Sequence, residues 1–129
     1  MRAIDTNVLV RFLTGDDPAQ AAQARKLFEE GDIFVGVTVL LEAGWVLRSG
    51  YRLSGERIVE ALRGVAGLPG VTIEDAALVS QALDWAEQGL DFADALHLAR
   101  ARDCSAFMSF DRNLAKTAAG LAGVKVSAP

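Results

Sequence analysis

The sequence predicts an α/β fold: a three-layer α/β/α sandwich around a mostly parallel central sheet. Two observations lead there. Short apolar runs of β-favouring residues alternate with longer stretches of helical periodicity, and most of the helical stretches are bounded by capping residues. Strands alternating with helices are joined by crossovers, which cover both faces of a parallel sheet. A length of 129 residues suits one compact domain, residues 1–129. A hydrophobic content of 51% against 23% charged residues is enough to fill its core.

Strands are expected at residues 1–4, 33–35, 106–109 and 124–126, with 71–73 a weaker fifth. The first helix grows from VLVRFL behind Asp5, Thr6 and Asn7. Pro18 opens the next behind Asp16 or Asp17, AQAAQARKLFEE continues it, and Gly31 ends it. Thr38 can cap VLLEAGWVLRSG, which Gly50 closes. Ser54 caps GERIVEALRGVAG, and Glu74 or Asp75 starts a helix running through Gln88. LDFADALHLARARD is helical, and a short helix from Arg112 follows the strand AFMS. No repeat, low-complexity tract or linker interrupts this series.

Composition narrows the function classes. Arg11 breaks the apolar run Val8-Leu9-Val10, which is no signal-peptide pattern. The apolar stretch 37–47 contains Thr38 and Glu42 and is too short to cross a bilayer. A cytoplasmic protein with no membrane partner is expected. Cys104, the single cysteine, is expected as a small buried hydrophobe. The net charge of −4, from 13 Lys and Arg against 17 Asp and Glu, argues against a plain nucleic-acid-binding module. It argues less against a metal-dependent nuclease, because bound Mg²⁺ returns positive charge where a phosphate would sit. With 7% aromatic residues, any stacking platform for single-stranded nucleic acid must be small.

Several acids stand in places where a surface acid is unusual. Asp5 ends the first strand, where open parallel sheets bind ligands. In AFMSFDRNL, Asp111 ends another. Each could equally be a helix cap. Glu42 lies among Val39, Leu40, Leu41, Ala43, Trp45, Val46 and Leu47, which predicts a buried helix. A carboxylate buried there protonates or finds a cation, either an arginine or a metal. In LDFADALHLA, Asp91 and Asp94 share a helix face. An N-cap role explains Asp91 better than Asp94. If Asp5, Glu42, Asp94 and Asp111 converge, their mutual repulsion calls for a cation, and oxygen-only ligands select Mg²⁺ or Mn²⁺ over zinc.

The order AIDTNVLV, Glu42 in an apolar helix, DFADALHLA and SFDRNL resembles the PIN-domain ribonucleases, and among them the VapC-type toxins of toxin–antitoxin pairs. The likeness spans essentially the whole chain. It implies that Asp5, Glu42, Asp94 and Asp111 form the catalytic, metal-binding quartet. It also implies that Asn7 and Ser109 are supporting polar positions, Ser109 standing where the family often has Thr. Thr6 and Asp91 complete the supporting set at the two helix starts. The resemblance further implies Mg²⁺-dependent endonucleolytic cleavage of RNA, leaving a 5′-phosphate and a 3′-hydroxyl. A homodimer is implied too, silenced by a small antitoxin whose C-terminal segment lies across the active-site groove. VLVRFL and the helix after Ser54 offer exposed apolar contacts for such partners. Loops carrying Arg48, Arg52, Arg57, Arg100 and Arg112 are expected to meet the phosphate backbone.

His97, the single histidine, is read as a partly buried structural residue or, less well, as a general base. Two other readings compete. A haloacid-dehalogenase-like phosphoacceptor wants DxD after the first strand, where this chain has DTN; a receiver-like one wants a strand-end Lys, where it has the helical Lys116. The other is a non-catalytic PIN-like module that only binds protein.

Overall fold

The computed structural model describes residues 1–121 and 123–129. Strands β1 (Arg2–Ala3), β2 (Ile33–Val35) and β3 (Val71–Ile73) form a parallel sheet with β2 in the middle. Arg2 stands opposite Ile33, which stands opposite Val71. A second parallel pair joins β4 (Phe107–Met108) to β5 (Val126–Ser127). The parallel α/β arrangement is the one the sequence predicts, with its strands divided between these two sheets. The strands are also shorter than expected. Ile4 still donates to the Phe34 carbonyl at 3.3 Å and Ser109 to that of Ser127 at 2.9 Å. Beyond those bonds the chain turns into the caps Asp5 and Asp111, which ends the ladder.

Seven helices connect the strands among the described residues: α1 (Thr6–Thr14), α2 (Pro18–Glu30), α3 (Val37–Ser49), α4 (Gly55–Ala66), α5 (Ala76–Glu87), α6 (Phe92–Arg100) and α7 (Arg112–Ala118). Local caps explain most of their starts. Asp17 accepts from the Gln20 N–H, Ser54 from Arg57, Asp91 from Asp94 and Asp111 from Leu114.

Helix α3 departs from this scheme. Its N-cap is Gly36, which has no side chain to offer, and Thr38 is exposed within the first turn. The cap comes instead from Glu74, whose Oε1 accepts the Val37 N–H at 2.8 Å. Parallel pairing makes this cap possible. The carboxyl ends of β2 and β3 share one edge, and Glu74 leaves β3 with its own N–H bonded to the Val35 carbonyl.

One core gathers the inward faces of both sheets and the helices. Ile33 and Val35 of the middle strand are 0% exposed. Strand spacing depends on two glycines: a Cβ on Gly70, whose φ is +75°, would stand 2.9 Å from the Gly31 Cα. Helix α3 packs close to α6 through Gly44, where a Cβ would meet the Phe92 ring at 2.9 Å. Cys104, expected inside, is exposed in the turns after α6. The segment there follows the end of α6 and lies outside regular secondary structure.

Candidate active site

Asp5 follows β1 and caps α1, its Oδ1 accepting the Thr6 N–H at 2.7 Å. The side chain itself is exposed, whereas Thr6 is buried. Asn7, in the first turn, is exposed and lines a cavity of about 290 Å³ between α1 and α2.

Glu42 is exposed, not buried. Apolar neighbours in sequence do not fix which face of the helix a side chain takes. Val37, Leu40, Ala43, Gly44 and Leu47 turn inward, so Thr38, Glu42, Trp45 and Ser49 run along the outer stripe at helical spacing. Trp45, counted among Glu42's apolar surroundings, is itself 62% exposed. Burial therefore supplies no demand for a cation at Glu42.

The charged groups that do converge lie around the start of α6. Asp91, the N-cap, accepts the Asp94 N–H at 3.3 Å and forms an ion pair with Arg48 of α3. Arg48 thus belongs to a helix rather than a loop, as do Arg57, Arg100 and Arg112; Arg52 alone of that set lies between helices. Asp94 is half-buried. Burial raises its carboxyl above the ordinary range, and the negative charges of Asp91 and Asp111 raise it further, while His97 and Arg48 oppose them. Asp5 and Glu42 are not among the charges acting on it. His97, expected partly buried, is exposed one turn beyond Asp94, because Ala95, Leu96, Leu98 and Ala99 occupy the inward face.

Asp111 is exposed and caps α7 through the Leu114 N–H at 3.0 Å. Its own N–H donates to the Ser109 Oγ at 3.0 Å. The hydroxyl thereby fixes the turn that carries the acid. Arg48 and Glu74 were missed as organising residues. Neither has a local sequence signal, since each acts across a gap between elements.

Among the described residues, no three His, Cys, Asp or Glu side chains lie together as a metal site. The chemistry of the converging donors nevertheless suits a hard cation. They are carboxylate oxygens, and Asp94 is held under like charge that a cation would relieve. Mg²⁺ asks for one or two carboxylates and completes its shell with waters and phosphate oxygens.

The family model of the PIN domain matches residues 3–120, and the chain belongs to that family. PIN domains are nucleases that generally use divalent metal. The chain is also similar to the Mycobacterium tuberculosis toxin VapC20, described as cleaving the sarcin–ricin loop. The two share 23% identity over 93% of this chain and 95% of that one, with a TM-score of 0.40. Comparison with curated proteins gives no match.

Among the described residues, no helix is long and apolar enough to cross a membrane.

Proposed function

We propose that this chain is a Mg²⁺-dependent endoribonuclease, the toxin of a toxin–antitoxin pair, acting through Asp5, Glu42, Asp94 and Asp111. One observation carries the assignment. A half-buried carboxylate, Asp94, stands under the negative charge of Asp91 and Asp111 in a chain of a nuclease family. Structural acids are normally paired with bases; Asp94 forms no ion pair among the described residues, and His97 and Arg48 only oppose the charge of its acidic neighbours. The toxin role rests on the motif order AIDTN, Glu42, DFADALHLA and SFDRNL.

When bound, Mg²⁺ or Mn²⁺ supplies Lewis-acid activation of water and neutralises charge on the phosphate. The chain's own residues supply its frame. Asp94 and Asp111 offer oxygens from the starts of α6 and α7, and Asp5 from the end of β1. Glu42 would reach in from the exposed face of α3. Asp91 fixes the first turn of α6 and holds Arg48, and Ser109 fixes the turn bearing Asp111. Thr6 anchors the first turn of α1 in the core, which steadies Asp5 and Asn7 on either side. Arg48, paired with Asp91, and Arg112, next to Asp111 in the chain, would be cations for the RNA backbone.

The antitoxin would have a ready place to dock. VLVRFL is less exposed than expected, because Leu9 and Val10 are buried and Phe12 stacks on Phe28 with ring centroids 4.1 Å apart. Phe12 and Leu13 still line an open cavity of about 640 Å³ with Arg57, Val65 and Leu68 on and beyond α4. A homodimer and a cytoplasmic location complete the proposal.

Incubation of the purified protein with RNA tests the central claim. Cleavage is expected with Mg²⁺ or Mn²⁺, and none in EDTA. Undiminished cleavage in EDTA overturns the metal mechanism. RNA left intact under every metal, by a protein that still binds its antitoxin, favours the non-catalytic module.

A further inference from the structure

Burial sorts the chain's aromatic residues into three groups. Phe28, Trp85 and Phe92 are buried, and Phe12, Phe34, Tyr51 and Phe107 are partly covered. Trp45 and Phe110 alone among the described residues are exposed aromatics, at 62% and 85%. Each stands beside one acid of the proposed set. Trp45 lies one turn from Glu42 and one turn from Arg48, which pairs with Asp91. Phe110 immediately precedes Asp111, whose charge acts on Asp94. The two carboxylate-bearing segments therefore each present one aromatic face to solvent.

We propose that Trp45 and Phe110 are base-stacking residues that take unpaired nucleobases of the substrate. The inference rests on the nuclease function proposed above. Holding a large aromatic surface in water is unfavourable, and near a phosphate-binding site a nucleobase is the natural cover. Stacking works through exposed aromatic faces with cations at hand for the backbone. That is the pattern here: Trp45 sits between Glu42 and Arg48, and Phe110 is followed by Asp111 and Arg112. Met108, 54% exposed, lies two residues before Phe110, so a protein interface is the competing occupant, which the sedimentation measurement below tests. Base-paired RNA keeps its bases stacked on one another and offers neither residue a partner.

Trp45 provides its own reporter, because the other tryptophan, Trp85, is 7% exposed and shielded from ligands. A short single-stranded oligoribonucleotide and its duplex are titrated against the protein in Ca²⁺, with the RNA checked intact by gel. Tryptophan emission should be quenched by the single strand and much less by the duplex. Trp45→Ala and Phe110→Ala should each weaken single-strand affinity roughly 5- to 100-fold. In Mg²⁺ they should raise KM with kcat little changed. Trp45→Phe should bind nearly as the native protein does, which separates loss of stacking from loss of fold. Unchanged affinity and KM in both alanine variants, or equal binding of duplex, overturns the inference while the nuclease function stands. RNA affinity unchanged but sedimentation shifted from dimer to monomer assigns the two aromatics to a protein interface instead. A native protein that cleaves no RNA in any metal removes the nuclease function and the inference with it.

Discussion

Asp91 and Asp94 lie one turn apart, yet their surroundings give them different roles. Asp91 accepts the Asp94 N–H and pairs with a largely exposed Arg48, so its contribution is mostly that of a cap. Asp91→Ala should lower stability by about 1 kcal/mol and leave Mn²⁺ binding largely intact. Asp94 carries its charge against burial and against two acids. Asp94→Asn removes that burden, so metal-free stability should hold or rise while Mn²⁺ affinity and cleavage are lost. Denaturant melts of both variants in metal-free buffer, with Mn²⁺ titrations, separate the roles. Loss of the metal in Asp91→Ala together with loss of the fold in Asp94→Asn would reverse the assignment. The Asp91 cap was legible in LDFADALHLA, because capping is local chemistry. Glu42 was not legible in the same way. An apolar neighbourhood in sequence says nothing of which face a side chain takes, and Trp45 counted as core when it lies outside.

Around the start of α6 the elements meet closely. Gly44 lets α3 approach Phe92 of α6, and a methyl group there would stand 2.9 Å from the ring. Gly44→Ala should destabilise the protein by about 1–3 kcal/mol through overpacking. It should also reduce cleavage, because moving α6 shifts Asp91 and Asp94 against Arg48 and Glu42. A variant with full activity and native stability would show that the helix pair has slack. The connection from α1 to α2 is held differently, by a polar clasp. Asp16 accepts from the Tyr51 hydroxyl and from Arg11 at 2.9 Å. Its carboxyl is lowered mainly by the Tyr51 bond; slight burial opposes this, and the Arg11 charge adds to it. The sign follows from linkage. With its pKa lower in the folded state, the unfolded chain binds the proton more readily, so this stabilisation is present above the ordinary carboxylate range. It fades as pH falls through the lowered value. Tyr51→Phe should flatten that acid limb in chemical melts across acidic pH, and an unchanged limb would remove Tyr51 as the cause. Pairings such as Tyr51 with Asp16 and Glu74 with Val37 span 35 and 37 residues. They depend on the packed topology, which explains why Thr38 was the expected cap for α3.

At the scale of the whole molecule, the alternation of strands and helices made the α/β class legible. Division of the strands into two sheets was not, since pairing between β4 and β5 is a tertiary choice that apolar runs do not encode. Charge balance is the other whole-chain property, and it bears on how metal and fold are linked. A chain of net charge −4 that holds acids together gains stability from any cation bound by the native state alone. At a Mg²⁺ concentration a hundredfold above Kd, the gain is about 2.7 kcal/mol, a rise in Tm of roughly 10 °C for a domain of this size. NaCl at matched ionic strength should give much less, because it screens the net charge without filling a site. Asp94→Asn should lose the Mg²⁺-specific part of the rise and keep the screening part. Scanning calorimetry of both proteins in the two salts separates these contributions. A native Tm that Mg²⁺ moves no more than NaCl does, at concentrations that support cleavage, would mean that the metal enters with the RNA phosphate. The carboxylates would then complete a shell that the substrate begins.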